Sequence, residues 1–386
     1  MKNVSRAILS VAALFGLALG QQAAAQGIML DLPTNGWQLV AGVSDEFTAA
    51  TLDASRWTRT PGATLPRYGT ASPHESPEYA HRGWGSEYYP DSSDADYDKL
   101  LTFRPTDADD PTARGILRLT AKPLAQAEWY RTGQQYADFS NVQRVVRYKS
   151  AIIRSKDGNA PQSYGAYLMR ARLPLVVDYK AWATFWLWSC SAEMDVLDGA
   201  AMAPRGGLAS YNAGAIDNIP PTQPIGPDDI GGSDCLRITS YPVPPSAYAP
   251  GTDKSSGHTA TGVVLPGAVP ARTQFDAFFN TYAMIWTPEE VTFFFNGRAF
   301  ATVPRSQVRT IPTWTAVMAS LQMFPAANAT APTATEYAMD IDYIRVYDRR
   351  NANNTPNMPR SSYLLPDQAV DQGVGSPVPN LSGTKQ

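Results

Sequence analysis

The sequence of 386 residues is long enough for one large domain or two ordinary domains. Its formal net charge is −3 and only 17% of its residues are charged, so nothing strongly basic indicates a nucleic-acid partner. The 28 glycines, 32 prolines and 11% aromatic residues, with 44% hydrophobic residues, are typical of a loop-rich β protein with a sizeable core.

Residues 1–25 predict a signal peptide for export. Lys2 and Arg6 supply a positive start, the apolar run over 7–19 is too short to span a membrane, and small residues at 23–25 form a cleavage site. We therefore expect a secreted or periplasmic protein. No later run approaches about 20 apolar residues, so we expect no membrane span in the mature chain.

Short runs of apolar, β-branched and aromatic residues recur along the chain and predict strands. In chain order these runs are 37–40, 115–121, 148–155, 164–174, 275–286, 291–303, 313–323 and 337–347. The segments between them are polar, or rich in proline, glycine and serine, and predict loops. Asn296-Gly297 divides the segment 291–303 into two β runs and predicts a two-residue hairpin turn between them. Helical patterns are few, so the sequence indicates an all-β sandwich.

Three closely spaced carboxylates follow an aromatic, apolar run over 182–188. Glu193 and Asp195 are two residues apart and would share one face of a strand, whereas Asp198 would point the other way in a regular strand. One β-bulge between them would return Asp198 to the face of the other two, and bulges are common beside active sites. We predict that bulge, because unpaired acids are costly in an ordinary core strand.

Carboxylates that share a face suit glycoside hydrolysis with retention of configuration. A like charge nearby can keep one acid protonated while its neighbour is charged. Retaining hydrolysis uses such a pair, a nucleophile and a proton donor about 5 to 5.5 Å apart. A solvated edge strand and an acidic calcium loop are the simpler explanations of the same three residues.

The two cysteines, Cys190 and Cys235, are expected to form a disulfide, because an exported protein meets an oxidising environment; two buried thiols are the alternative. Neither is expected to act as a nucleophile or metal ligand. His74, His81 and His258 are widely spaced, so the sequence contains no zinc pattern.

The stretch Glu193-Met-Asp195-Val-Leu-Asp198, which follows Ala-Thr-Phe-Trp-Leu, resembles the bulged Glu-x-Asp-x-x-Glu signature of glycoside hydrolase family 16. The resemblance implies that Glu193 is the nucleophile, that Asp195 assists it and that Asp198 is the acid and base. Asp198 stands where the family has a glutamate. An aspartate side chain is one methylene shorter, so its carboxyl is retracted by roughly 1.5 Å, the length of one C–C bond. A misplacement of about 1 Å can cost on the order of a hundredfold in rate.

Further segments follow the order of that family across about residues 37–348. They are 44–47, 83–89, 164–174, 275–289, 291–303 and 337–347. The resemblance implies a β-jelly-roll sandwich of the concanavalin A type, with two curved antiparallel sheets and a concave substrate cleft. It also implies that strand 164–174 lies beside the catalytic strand, although Ala166 and Leu168 replace a polar pair of the family there.

The resemblance also assigns residues to the substrate. Trp182 and Trp188 would be stacking platforms for sugar rings, with Trp182 favoured, against the alternative that one of them belongs to the core. Glu87 and Tyr88 would line the donor side of the cleft. Arg170 could steady a carboxylate, although an exposed strand arginine is the commoner case.

Asp342 matches an aspartate that helps to hold a structural calcium in many relatives. A calcium site needs six to eight oxygens, so Asp342 alone is weak evidence for that metal. Hydrolysis by two carboxylates requires no cofactor.

We expect one catalytic domain over 26–350 and a disordered tail over 351–386, where asparagine, proline, serine and glycine occur without pattern. The expected function is an endo-acting glycoside hydrolase, a monomer that cleaves a β-linked glucan or galactan. Two alternatives stay open. One is a carbohydrate-binding protein whose hydrolysis is weak or lost through Asp198, and the other is a transglycosylase.

Overall fold

The computed structural model describes residues 29–59, 81–82, 85–90, 92, 94–125, 130–131, 145–156, 164–174, 181–188, 192–199, 208–217, 258–265, 272–305, 315–323 and 336–364. Within these residues the chain is mostly β-strand, and most strands belong to two large sheets. The predicted signal peptide over 1–25 and both cysteines, Cys190 and Cys235, lie outside the described residues.

The first sheet, which we call sheet I, has eleven strands in the described part of the chain. They are β1 (Gln38–Leu39), β3 (His81–Arg82), β4 (Glu87–Tyr89), β5 (Leu101–Thr106), β6 (Arg114–Pro123), β9 (Tyr148–Lys149), β11 (Gly165–Arg172), β17 (Asn280–Trp286), β18 (Glu290–Phe295), β19 (Arg298–Pro304) and β21 (Tyr337–Asp348). Their order is β19-β18-β17-β11-β21-β6-β9-β4-β3, with β1 beside β21 and β5 beside β6. Paired strands are antiparallel except β4 and β9, which run parallel.

The second sheet, sheet II, has eight strands among the described residues, all in antiparallel pairs. They are β2 (Trp57–Thr58), β10 (Ile152–Ser155), β12 (Ala181–Trp188), β13 (Ala192–Asp198), β14 (Leu208–Asp217), β15 (His258–Leu265), β16 (Arg272–Thr273) and β20 (Ala316–Met323). Their order is β16-β15-β14-β13-β12-β20-β10-β2, so β12 and β13 are interior strands.

The remaining elements are short. They are a two-stranded ribbon of β7 (Tyr130–Arg131) and β8 (Val145–Val146), the helices α1 (Tyr97–Leu100) and α2 (Gln274–Ala277), and 3-10 helices at Pro33–Asn35, Ala41–Val43 and Arg360–Ser362. No helix in the described part of the chain is long and apolar enough to span a membrane.

The two sheets pack face to face around one hydrophobic core. Tyr167 and Met169 on β11 of sheet I share that core with Phe185 and Leu187 on β12 of sheet II. The buried residues alternate with residues of the opposite face, as the two-residue period of a strand requires. Burying each large apolar side chain stabilises the fold by roughly 1.5–3 kcal/mol. The predicted all-β sandwich of two antiparallel sheets is confirmed.

The turn between β18 and β19 is the hairpin that the dipeptide Asn296-Gly297 predicts. Phe295 pairs with Arg298 across this turn, and φ is 50° at Asn296 and 75° at Gly297. Positive φ at both central residues is the property of the type I′ turn, whose twist matches that of the flanking strands. This prediction is confirmed.

The face of sheet I that points away from the core is covered by other parts of the chain. Ala166 and Leu168 lie on this face and are 0% and 7% exposed. The covering side chains come from segments 29–37 and 358–364, and they are Met29, Leu32, Trp37, Met358, Tyr363 and Leu364. The apolar residues that replace the polar pair of the family are therefore buried under this cover.

The cover corrects the predicted tail. A disordered segment over 351–386 is wrong for residues 351–364, which contain the 3-10 helix Arg360–Ser362 and the buried Tyr363 and Leu364. A few well-placed apolar side chains are enough to anchor a segment whose average composition shows no pattern. Residues 365–386 lie outside the described residues.

Tyr363 anchors this segment to the rest of the molecule. Its ring meets Trp37 edge-on, with 6.4 Å between ring centroids, and its hydroxyl donates to Glu290 Oε1 at 2.8 Å. Trp37 Nε1 in turn donates to the carbonyl oxygen of Ser362 at 3.2 Å. Burial, followed by the charge of Glu290, raises the pKa of Tyr363 well above its ordinary value, so the phenol keeps its proton.

The same outer face carries a network of arginines and aspartates. Asp340 on β21 accepts hydrogen bonds from Arg118 at 2.7 and 3.0 Å, from Arg104 at 2.7 Å and from Arg172 at 2.8 Å. Burial acts to raise the pKa of Asp340, but the hydrogen bonds from Arg118 and Arg172 outweigh it and hold that pKa below its ordinary value. Asp340 is therefore the anionic centre of this network.

Tyr363→Ala should lower the free energy of unfolding by about 3 kcal/mol or more, as other large-to-small changes at buried sites do. Urea denaturation measures the change. Phe278→Ala is the matched control, because Phe278 is 56% exposed, and it should change the stability by about 0.5 kcal/mol or less. Equal losses in the two variants would contradict the anchoring role of Tyr363.

Asp340→Asn should lower the free energy of unfolding at neutral pH by about 2–3 kcal/mol. This loss is smaller than that expected for a fully buried ion pair. The reason is that the side chains of Arg104 and Arg118 are 33% and 35% exposed. The folded-state pKa of Asp340 is depressed, so its stabilisation is present above the unfolded-state value of about 3.9 and is lost as the pH falls through the lower, folded-state value.

The difference in stability between wild type and Asp340→Asn should therefore be wide at about pH 7 and should narrow below about pH 4. Asp109→Asn, at a side chain that is 85% exposed, is the control and should show little effect at either pH. A difference that stays constant across this range would show that the charge of Asp340 does not stabilise the fold.

Candidate active site

Strand β13 carries a one-residue irregularity in the middle of its length. Its pairing with β12 shifts between Phe185 and Trp186, and its pairing with β14 shifts between Asp195 and Asp198. In the ladder with β12, Val196 is the residue that the pairing skips. The predicted β-bulge between the second and third acid is confirmed.

The bulge decides where the acids point. Val196 and Leu197 are both buried in the core, so two successive residues face inward and Asp198 returns to the face of Asp195. Glu193, two residues before Asp195, shares that face. We call Glu193, Asp195 and Asp198 the acid row, and the side of sheet II that bears them the acid face.

The acids of the row differ in their exposure. Asp195 is 7% exposed, whereas Glu193 and Asp198 on either side of it are half-buried. The outer two carboxylates can therefore reach a molecule on the acid face. The middle one suits a hydrogen-bonding role toward its neighbours.

Trp182 lies on the acid face next to the third acid. Its indole Nε1 donates to Asp198 Oδ1 at 2.8 Å, and its side chain is half-buried. On β12 it stands two residues before Thr184, which lies opposite Asp198. The structure brings Trp182 to the acid row as predicted, and it adds a contact with the acid that a stacking platform does not require.

Sequence reasoning missed a polar network beside Trp182. Thr184 Oγ1 lies 2.5 Å from Ser320 Oγ and donates to the Ser320 carbonyl oxygen at 3.1 Å, and Gln322 Nε2 donates to Ser320 Oγ at 3.3 Å. Gln322 stands opposite Trp182 in the pairing of β12 with β20. A signal was present in the sequence, because Ser320 and Gln322 are polar, two residues apart and set in an otherwise apolar strand.

Trp188, predicted as the second stacking platform, is enclosed. It is 5% exposed and belongs to a small cluster with Tyr89, Trp186 and Met318. The rings of Trp186 and Trp188 meet edge-on with 5.9 Å between their centroids. The alternative that one of the two tryptophans belongs to the core therefore applies to Trp188.

Glu87 and Tyr88, predicted at the donor side of the cleft, are also enclosed. Glu87 is 0% exposed, and its carboxylate accepts the backbone N–H of Gly85 at 3.1 Å and that of Met323 at 2.7 Å. Tyr88 is 2% exposed and donates its hydroxyl to Asp94 at 3.3 Å. The hydrogen bond from Met323 thus ties β4 of sheet I to the end of β20 of sheet II.

Arg170 lies on the other sheet from the acid row. Its strand, β11, pairs with β17 and β21 in sheet I, so the expectation that this strand lies beside the catalytic strand is wrong. Arg170 points to the outer face, where it forms ion pairs with Asp342 and Asp110. Strands that are consecutive in the sequence can belong to different sheets of a sandwich, and motif order alone does not distinguish the two cases.

Asp342, the expected calcium ligand, is engaged by other groups. One carboxylate oxygen accepts a hydrogen bond from the Arg170 guanidinium, and the other accepts the backbone N–H of Arg114 at 3.1 Å. Within the described residues no group of three or more His, Cys, Asp or Glu side chains could hold a metal ion. A carboxylate already paired with a guanidinium does not fit a calcium ion, and we assign no metal to it.

Part of the chain matches a known protein family by sequence. The family model for glycosyl hydrolases family 16 matches residues 252–345, which is less than half of the 386 residues. No curated protein matches the chain.

Solved structures with a similar fold include several polysaccharide-degrading enzymes. The catalytic domain of an endo-1,3-beta-glucanase (laminarinase) from Thermotoga petrophila is 18% identical, with 82% of this chain and 99% of that chain covered and a TM-score of 0.46. A non-specific endo-beta-1,3(4)-glucanase from family GH16 is 15% identical, with 84% and 96% covered and a TM-score of 0.49. The kappa-carrageenase from Pseudoalteromonas carrageenovora is 17% identical, with 81% and 94% covered and a TM-score of 0.47.

The residues matched by the family model include β15 to β20 and end within β21. The acid row lies outside them, so the sequence match and the acid row are separate observations. The match supports a glycoside hydrolase. Residues 252–345 thus confirm the resemblance to glycoside hydrolase family 16 that the motifs of the sequence indicate.

Proposed function

We propose that this chain is a secreted or periplasmic glycoside hydrolase that cleaves internal bonds of a β-linked glucan or galactan with retention of configuration. The acid row carries the proposal, because the bulge in β13 puts Glu193, Asp195 and Asp198 on one face. The family match over 252–345 supports the same chemistry. The predicted signal peptide over 1–25 supports export.

In the first half of the reaction, the Glu193 carboxylate attacks the anomeric carbon of the bound sugar. The bond from that carbon to the leaving oxygen breaks, its electron pair stays on the oxygen, and Asp198 donates a proton to it. A glycosyl ester on Glu193 is the product of this step. We assign to Asp195, which is 7% exposed and lies between the two acids, a hydrogen bond to Glu193.

In the second half, Asp198 takes a proton from a water molecule, which attacks the anomeric carbon from the side that the leaving group has vacated. The ester bond to Glu193 breaks and the carboxylate is restored. The two inversions give net retention. If a sugar hydroxyl replaces the water, the same steps give transglycosylation.

A second candidate function is favoured by the length of Asp198. An aspartate at the acid position retracts the carboxyl by roughly 1.5 Å relative to a glutamate, which would slow proton transfer. In that case the same face would bind a polysaccharide with little or no cleavage. An inert wild-type protein that still binds one polysaccharide would favour this function.

Glu193→Gln should abolish the release of reducing sugar from whichever β-glucan, agar or carrageenan the wild-type protein cleaves. The loss should reach at least about a thousandfold in kcat, because the amide is not a nucleophile of comparable strength. A reducing-sugar assay over that panel measures it. Glu46→Gln is the control, since Glu46 pairs with Arg345 on sheet I, and it should leave activity near that of wild type. Full activity in Glu193→Gln would remove Glu193 as the nucleophile.

Asp198→Asn should lower hydrolysis of the same polysaccharide by about 100- to 10,000-fold, because the amide cannot deliver a proton to the leaving oxygen. Binding of the polysaccharide, measured by affinity electrophoresis, should persist, since the two side chains have nearly the same shape. If hydrolysis were unchanged in this variant, Asp198 would not be the acid.

A further inference from the structure

The contact between Trp182 and Asp198 has a chemical consequence for the acid. An indole N–H is a donor only, so Trp182 Nε1 can do nothing but donate to Asp198 Oδ1, at 2.8 Å. An oxygen that accepts this hydrogen bond binds it best when it carries no proton itself. The contact therefore favours a proton on the other carboxyl oxygen, Oδ2.

The side chain of Asp198 is short enough for one hydrogen bond to fix it. An aspartate has two side-chain torsions, and its backbone is already set by the bulge between Asp195 and Asp198. Holding Oδ1 against the indole leaves the plane of the carboxyl and the direction of Oδ2 defined. A glutamate at the same position would have a third torsion and would need further contacts to be held as well.

Trp182 itself is well supported. It lies on β12, an interior strand between β13 and β20. Gln322 stands opposite it on β20 and is held by its hydrogen bond to Ser320, which in turn lies 2.5 Å from Thr184. A donor placed on a rigid interior strand can keep a partner within a few tenths of an ångström of one position.

We propose that Trp182 is a positioning residue for Asp198, which holds the carboxyl so that Oδ2 faces the leaving oxygen. This inference rests on the proposed hydrolase function and goes beyond it, because it names the atom that carries the proton. In the first half-reaction the proton on Oδ2 moves to the leaving oxygen, while Glu193 forms its bond to the anomeric carbon. In the second, Oδ2 takes a proton from water. Trp182 Nε1–H stays on Oδ1 throughout.

Trp182→Phe tests the proposal, because it keeps an aromatic ring and removes the N–H. Two substrates are compared: the best polysaccharide of the panel, whose leaving group needs a proton, and the dinitrophenyl β-glycoside of an oligosaccharide released from it, whose leaving group does not. The quantity is kcat/KM, which reports the steps up to formation of the glycosyl ester. We expect a loss of about tenfold to a hundredfold with the polysaccharide and less than about threefold with the aryl glycoside.

Two further variants complete the experiment. Trp188→Phe is the matched control on the same strand and face, because the Nε1 of the buried Trp188 contacts no acceptor within the described residues; it should change both substrates alike. In an Asp198→Asn background, Trp182→Phe should cost little further activity on the polysaccharide, because the two residues act as one unit.

The outcomes are distinct. Equal losses with both substrates would show that Trp182 only stacks against sugar, and would overturn the positioning role while leaving the hydrolase proposal intact. Full activity of Trp182→Phe on the polysaccharide would do the same. A wild-type protein that cleaves neither substrate would overturn both proposals. Near-ultraviolet circular dichroism confirms that each variant is folded.

Discussion

One extra residue in β13 determines both which residues of that strand enter the core and which face of sheet II bears its three acids. The skip at Val196 lets Val196 and Leu197 enter the core together. Without it Asp198 would point between the sheets, where an unpaired carboxylate would either cost several kcal/mol or become neutral. The burial of Val196 and Leu197 therefore stabilises the same bulge that puts Asp198 on the acid face.

The outer faces of the two sheets carry different features. Sheet I carries the ion-pair network around Asp340 and the apolar cover of Ala166 and Leu168, all on the side away from the core. Sheet II carries the acid row on its own outward side. Changes on the outer face of sheet I are separated from the acids by the whole thickness of the sandwich, about 10 Å of packed side chains. The loss of polar residues at 166 and 168 belongs to this packing and is no evidence against catalysis.

The sequence predicts most of the fold and the placement of the three acids on one face. Of the five residues predicted to contact the substrate, only Trp182 lies beside the acid row. Strand periodicity, the Asn296-Gly297 turn and the bulge are local properties, so a single sequence contains them. Whether Trp188 or Glu87 meets a sugar depends on which residues from distant segments pack over it, as Tyr89 and Met323 do. The sheet to which Arg170 belongs is likewise set by long-range pairing. The polar pair Ser320 and Gln322 was visible in the sequence, yet its strand carried no motif to draw attention to it.

Glu87 joins the two sheets at the end of the strand that carries Gln322. One of its oxygens accepts the N–H of Gly85, just before β4 of sheet I, and the other accepts the N–H of Met323, the last residue of β20 in sheet II. A Cβ on Gly85 would come within 1.8 Å of the Met323 carbonyl oxygen, so the two backbones are as close there as glycine allows. The hydrogen bond between Glu87 and the Met323 N–H therefore holds the end of β20 in place relative to β4. The place of Gln322 opposite Trp182 is thereby tied to sheet I at the end of β20.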